Sequence, residues 1–507
     1  MKEFKIIYTS DVHGHIFPVN YSAGKPENSG LLNLAAQVKK DGNTLILDGG
    51  DTLQGTPLSQ YYLRHQKEFS FHPMAEGFNA LECDYFTLGN HDFNFGFEAV
   101  KNYLDNMKGT CLCANVKDLS GELKLFAYKI HVLENGLRVG ITGIVTDFVK
   151  IWERPEHLEK IRILDAFETA EEQFQILKPQ CDLTICIYHG GFEEDLDTGR
   201  LLSRSGENVG CRIAREVGYD LLLTGHQHMT VEGRSLCGTY TVQCPANAQQ
   251  FFRISGRYLE REKRTDFFSE IEKVGSKPVK EVYERLLPLE KKVQKWLDEP
   301  VGFLQETIMP QEKLQAALFG SPLAELFNQV QLARTQADFS CTSLGNEPAG
   351  LDSAVTMRGI SSAYLFANTL VVLEVDEAVL KTALERCAAY FEIRNGQPRI
   401  SQDFLRPKIE HYNYDFYSGL DYAFDLTKPV GQRVTRLRRK DGTSLGNRKY
   451  SLVTSNYRAT GTGGYEILAE CPVLWKDSVE MQELIAEYIK KRSPLKAGQT
   501  GYFMVKY

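Results

Sequence analysis

Over the first 255 or so residues, short apolar runs alternate with helix-like stretches. The runs are FKIIYTS, TLILDGG, YFTLGN, LRVGITGI, DLTICIYHGG and DLLLTGHQH, and most run out into Gly, Asn, Asp or His at or near their ends. Continuous Ile/Val/Leu/Tyr runs that feed polar loops are the pattern of buried strands in an α/β domain. The potentially reactive side chains then lie at strand ends, where open α/β sheets carry their sites. From residue 256 the pattern changes to a densely charged stretch. Within it, VKEVYERLLPLEKKVQKWLDE has helical apolar spacing broken by Pro288, so one or two connecting helices are expected. A second α/β region follows, with strand candidates NTLVVLEVD, DYAFDLTK and YSLVTSNY. The expected layout is a first domain over 1–255, a helical linker over 256–310 and a second domain over 311–507.

Composition narrows the class. The chain has 507 residues, 42% hydrophobic and 25% charged, with a net charge of −7. That is ordinary for a globular protein of more than one domain, and it excludes a broad basic footprint for a nucleic acid polymer. No apolar run is long enough to span a membrane, and MKEFKIIYTSDVHGH contains no signal-peptide core. The eleven cysteines form no CxxC pair; Cys111 and Cys113 read as buried thiols. A reduced, cytoplasmic setting is the expectation.

Five strand-end fragments carry the chemistry: Asp11-Val12-His13, Gly50-Asp51, Gly89-Asn90-His91-Asp92, His189-Gly190 and Gly225-His226-Gln227-His228. Imidazole and carboxylate without thiolate suit zinc, manganese, iron or cobalt comparably. Two such ions about 3.5–4 Å apart can hold a hydroxide and grip a phosphoryl group. One carboxylate must then bridge them, and Asp51, in its tight Gly-Gly-Asp turn, is the natural choice. A lone histidine is more often structural than functional, and His15, His65, His72, His131, His157 and His411 keep that reading.

The order DxH, GGD, GNHD, HG, GHxH resembles the calcineurin-like metallophosphoesterase signature. GDTLQGTPL, HPMAEGFNALECDYFTLGNHDFNFG and SNYRATGTGGY resemble the 5′-nucleotidase family over nearly the whole chain. The resemblance implies a four-layer β-sandwich flanked by helices, a helical linker and a C-terminal α/β nucleotidase domain. It implies two divalent ions, one on Asp11, His13, Asp51 and His228, the other on Asp51, Asn90, His189 and His226. His91 would stand beside the scissile phosphate, attacked by hydroxide. The implied partner is a small nucleotide, with no nucleic acid polymer and no membrane, and the expected state is a monomer or weak homodimer. Family members are often periplasmic or on the cell surface, and they close by rotating one domain against the other.

Asn94 points to a branch. The family's 5′-nucleotidases typically have Asp three residues after the catalytic histidine. Asn there resembles the 2′,3′-cyclic-nucleotide 2′-phosphodiesterase/3′-nucleotidase branch, as does HYNYDFYSGLDYAFDLTKPVGQRV. An amide oxygen is expected to accept the His91 ring N–H without adding charge. The GGGIR loop of 5′-nucleotidases is replaced by SLGNEPAGLDSAVTMRGI, with Arg358 the remaining arginine. By position in the family's motifs, Tyr457 and Tyr417 are the expected base-stacking pair, with Phe416 a rival for the second place. The alternative activity is a broad 5′-nucleotidase or a nucleotide-diphosphate hydrolase. A non-enzymatic nucleotide binder is the remaining reading.

Overall fold

The computed structural model describes residues 1–202, 206–366, 368–406, 409–477, 479–498 and 503–507. They form two compact units, Met1–Gln294 and Lys295–Tyr507.

The N-terminal unit is built on two sheets. The seven-stranded sheet places Lys2–Thr9, Thr44–Asp48, Tyr85–Phe86, Thr110–Leu112 and Leu125–Phe126 in parallel; Gln250–Leu259 and Arg264–Lys273 complete its edge antiparallel. The six-stranded sheet has Arg138–Val145, Leu183–His189, Leu221–Thr224 and Thr239–Gln243 in parallel at its centre. Alternation sends Phe4, Ile6, Tyr8, Leu45 and Leu47 from one sheet and Val139, Ile141, Leu183, Ile185 and Leu221 from the other into a single core. The Tyr8 hydroxyl donates across it to the Thr224 carbonyl at 2.9 Å. Helices cover the outer faces. Ala166–Leu177 and Gly210–Glu216 lay Phe167, Ala170, Ile213 and Ala214 on Ile144, Cys186 and Tyr188. On the other side Phe97–Asn106 sets Tyr103 against Phe86, ring centroids 5.7 Å apart. Helix, sheet, sheet, helix is the expected four-layer order.

The linker differs from expectation. Residues 256–273 are not helical: they finish Gln250–Leu259 and form Arg264–Lys273, paired from Gln250↔Lys273 to Leu259↔Arg264. A single helix then runs Lys280–Asp298 straight through Pro288. Its Val282, Leu286, Leu289, Val293 and Leu297 form a buried stripe, and burial of that stripe outweighs the hydrogen bond lost at proline.

In the C-terminal unit, the five-stranded sheet runs Asp415–Ser418, Phe339–Ser343, Tyr450–Ser455, Leu370–Val375 and Val473–Lys476. A three-stranded sheet combines Val434–Arg439, Leu420–Asp425 and Phe503–Lys506. Pro322–Thr335, Glu377–Ala388 and Met481–Arg492 are its longer helices. All eleven cysteines are free thiols, and Cys111 and Cys113 are buried. Among the described residues no helix is long and apolar enough to cross a membrane.

Candidate active site

The predicted ligands leave the carboxyl ends of parallel strands in both sheets, and the chain must turn sharply to aim them at one place. Asp11, His13, Asp51, His226 and His228 all have left-handed backbones, with φ of 53, 50, 60, 69 and 54°. Non-glycine residues hold that conformation only where their surroundings fix it, and they concentrate at functional sites. Here the turns fix one another. Asp11 N–H donates to the Gly50 carbonyl and His13 N–H to the Asp51 carbonyl, both at 2.8 Å. His226 N–H lies 3.0 Å from both carboxylate oxygens of Asp11.

Asp92, buried behind the turn, accepts N–H groups of Asp51, Thr52, Leu53 and Gly89 at 2.8–3.0 Å. It thereby ties the GGD turn to the GNHD turn. The two pass so closely that a Cβ on Gly89 would fall 2.1 Å from Asp51 Oδ1. Only glycine fits there. Asp92 went unrecognised in the sequence reading; its place in GNHD was the available signal.

Two ligand groups result. Asp11, His13 and His228 bring one ligand atom each within 4.8 Å of one another, and so do Asp51, His189 and His226. Asn90 Oδ1 joins the second group, 3.2 Å from His189 Nε2. Asp51 faces both groups, its Oδ2 being 3.2 Å from His189 Nε2 and 3.9 Å from His13 Nε2. His13 and His189 donate their outer Nδ1–H to the carbonyls of Gln54 and Gly49, at 2.8 and 2.6 Å. Each therefore turns Nε2 inward, where a cation can take the place of a proton.

The charges ask for a cation. Although burial opposes it, His228 and His189 hold the Asp11 carboxyl at about 2. Against the same burial, the His189 imidazolium, itself pushed up to about 10 by Asp51, holds Asp51 well below the usual carboxylate range. Burial, with His228 beside it, pushes His13 down to about 4. The Nε2 atoms of His13 and His228 stand 2.9 Å apart, and the buried Oδ2 of Asp51 accepts no hydrogen bond. Converging lone pairs and an unsatisfied buried carboxylate oxygen fit divalent metal ions of the nitrogen–oxygen class.

His91 sits beside this centre, its ring centroid 5.6 Å from that of His13 and its backbone N–H donating to Asp51 Oδ1 at 2.8 Å. Asn94 reaches it, but with the opposite polarity to that expected. The amide nitrogen, 3.0 Å from His91 Nδ1, also donates to Gln54 Oε1. With Gln54 as the acceptor, the amide turns its NH₂ towards the ring.

In the C-terminal unit, Tyr457 is 38% exposed in the short helix Asn456–Ala459, just before the turn Thr460–Gly464. Its aromatic neighbour is Tyr412, at 6.4 Å and 74°, with Phe366 at 6.0 Å beyond. Tyr417, expected as the partner, is 7% exposed within the strand Asp415–Ser418, opposite Cys341. Phe416 is 8% exposed and packs on Tyr414. Both rings are buried, and Tyr412, four residues before Phe416, is the aromatic that faces Tyr457 and that the sequence motifs did not single out. Arg458 holds this corner together: its guanidinium pairs with Asp415 at 2.8 Å and donates to the carbonyls of Tyr412 and Thr462. Arg358 is paired with Asp298 at 2.6 Å.

Comparison with known proteins agrees with this geometry. The calcineurin-like phosphoesterase family model matches residues 4–230, and that of the 5′-nucleotidase C-terminal domain matches 301–470. A trifunctional nucleotide phosphoesterase protein of Bacillus subtilis is 24% identical over 96% of this chain, which spans 37% of its length. A 2′,3′-cyclic-nucleotide 2′-phosphodiesterase/3′-nucleotidase of Haemophilus influenzae is 23% identical, with 97% of this chain and 85% of that protein covered. Among solved structures, a Staphylococcus aureus protein provisionally assigned as a 5′-nucleotidase, in complex with α-ketoglutarate, superposes with a TM-score of 0.85 at 30% identity, covering 100% of both chains. The chain belongs to the 5′-nucleotidase family of metal-dependent nucleotide phosphoester hydrolases, in which a calcineurin-like phosphoesterase domain precedes a 5′-nucleotidase C-terminal domain.

Proposed function

We propose that the protein hydrolyses small nucleotides at a two-ion centre and prefers 2′,3′-cyclic and 3′-nucleotides. The observation that carries the hydrolytic reading is the buried Asp51 carboxylate facing both ligand groups, with His91 at its side. Asp11, His13, Asp51 and His228 would hold one ion, and Asp51, Asn90, His189 and His226 the other; zinc, manganese, iron and cobalt all suit such donors. When bound, divalent ions lower the pKa of water and offset phosphoryl charge.

The chain's own part lies with His91. Its Nδ1 faces the Asn94 NH₂, so the ring hydrogen belongs on Nε2. A neutral ring in that tautomer donates a hydrogen bond to a phosphoryl oxygen and stabilises charge that builds up in the transition state. It is a poor proton donor to the leaving oxygen, because it would have to become an anion. Tyr412 and Tyr457 are assigned to base stacking, which tolerates several bases.

The substrate preference rests on Asn94 and on the loop that replaces GGGIR. There the Arg358 guanidinium is engaged by Asp298, which weakens the case for recognition of a terminal 5′-phosphate. The Staphylococcus aureus relative keeps a 5′-nucleotidase reading as the second choice. A metal-supplemented panel of 2′,3′-cyclic, 3′- and 5′-nucleotides with each of four bases separates the two; highest kcat/KM on 5′-monophosphates would reverse the preference. For His91→Ala, turnover should fall about 10²–10³-fold with metal content unchanged. Full activity in that variant would remove His91 from the reaction.

A further inference from the structure

We infer that Glu207 is the outer carboxylate that fixes His226 as a metal ligand. The inference rests on the two-ion reading above. Glu207 Oε1 lies 2.8 Å from His226 Nε2, and the two side chains are 29% and 12% exposed. One ring nitrogen is thereby committed, so Nδ1 is left to offer its lone pair to a cation.

His13 and His189 show the same division of labour, with one nitrogen on an outer acceptor and the other turned inward. Their outer acceptors are neutral backbone carbonyls. Glu207 brings a full negative charge to the same position. A carboxylate there sets the tautomer, holds the ring plane and raises the basicity of the inward nitrogen, and loss of such partners typically weakens metal binding 10–100-fold.

The surroundings are built to hold this contact. The Glu207 carbonyl accepts the Thr146 hydroxyl at 2.8 Å and the Tyr188 hydroxyl at 3.4 Å. Next to it, Asn208 Oδ1 takes the Gly191 N–H at 2.7 Å. The loop is thus pinned to the ends of two strands, Arg138–Val145 and Leu183–His189. Trp152 stacks on the His226 ring at 5.6 Å and 24°, so the ring is held on its face as well as its edge. A solvated surface pair would need neither restraint.

The test is titration of the metal-stripped full chain with Mn²⁺ alone, followed by calorimetry and metal analysis. Wild type, Glu207→Ala and Glu207→Gln are compared, with His189→Ala marking the ion of that group. Wild type is expected to take up two ions. Glu207→Ala should weaken one of them about 10–100-fold, the same one that His189→Ala removes. Glu207→Gln keeps an acceptor oxygen without the charge and should recover part of the loss. If Glu207→Ala does not fold, Glu207→Gln decides: several-fold weaker Mn²⁺ supports the role, and wild-type affinity overturns it. Unchanged or tighter binding in a folded Glu207→Ala also overturns it, since a competitor for the site would tighten on removal. Fewer than two ions in wild type would overturn the two-ion centre itself, and Glu207's role with it.

Discussion

The Asn94 amide nitrogen serves two acceptors, His91 Nδ1 at 3.0 Å and Gln54 Oε1. Donation to Nδ1 favours the uncharged ring, and burial pushes His91 the same way. A carboxylate in that place would invert the preference, because it needs Nδ1–H as its partner and attracts the imidazolium. Asn94→Asp should therefore raise the His91 pKa and carry the basic limb of the pH–rate profile upward by about one unit. The rise follows because a protonated ring can both donate to phosphoryl oxygen and release a proton to the leaving group. The measurement is kcat/KM against pH at saturating metal. An unmoved basic limb would mean that Asn94 does not act through His91. The same scale explains why the ligand set was readable at all. Each proposed ligand lies at the end of a strand or within a short turn after it, and the turns need glycine nearby, so GGD and GNHD carry a chemical and a conformational signal together.

Elements were legible in proportion to how completely they are buried. Thr44–Asp48 and Leu183–His189 are buried at every position, so their apolar runs stand out. Arg264–Lys273 alternates between partly and fully exposed positions; its charges mask the period of two, and it passed for helix. Proline at 288 suggested a break that tertiary burial overrides. Tyr417 lies in the core because both faces of Asp415–Ser418 are covered, and a stretch as mixed as YDFYSG does not announce a strand buried on both sides. The helix Pro73–Leu81 shows a histidine whose structural reading was correct. His72 caps it, Nδ1 accepting from Ala75 N–H, and its ring is enclosed by Tyr62 and Tyr103. Burial pushes this imidazole from 6.5 down to about 3. The unfolded chain thus binds the proton first as pH falls. Stability from neutral His72 is complete above pH 6.5 and is lost progressively towards pH 3, amounting to about 2–3 kcal/mol by pH 4.5. His72→Asn keeps a capping oxygen and removes the titration. Its melting temperature should start lower at pH 7.5 but fall less between pH 7.5 and 5 than that of wild type. Parallel pH curves would count against a buried neutral ring.

For the whole molecule, the division of work between the two units makes a prediction that neither unit makes alone. Ions are assigned to the unit Met1–Gln294 and base stacking to the unit Lys295–Tyr507. Removing the ions uncovers converging lone pairs and carboxylates, so a chelator should abolish turnover. It should also lower the melting temperature, since each ion held at 100 times its Kd contributes about 2.7 kcal/mol. Nucleoside carries no phosphate and has nothing to offer those ions. Its affinity should survive chelation nearly unchanged, while Tyr412→Ala weakens it by about 1–3 kcal/mol, the value of one aromatic stack. Tyr417→Phe should leave nucleoside affinity alone, because that ring lies in the core. Titration of adenosine against native, chelated and Tyr412→Ala protein, with metal content measured on the same samples, reads both halves at once. If chelation weakens adenosine binding as much as Tyr412→Ala does, base recognition depends on the ion-bearing unit and the assignment of stacking to Tyr412 and Tyr457 fails. If Tyr412→Ala sheds metal, its loss of binding would be secondary to a damaged centre. Nucleoside affinity lost only in Tyr412→Ala, and metal lost only on chelation, is the pattern that ion binding and base stacking on separate units require.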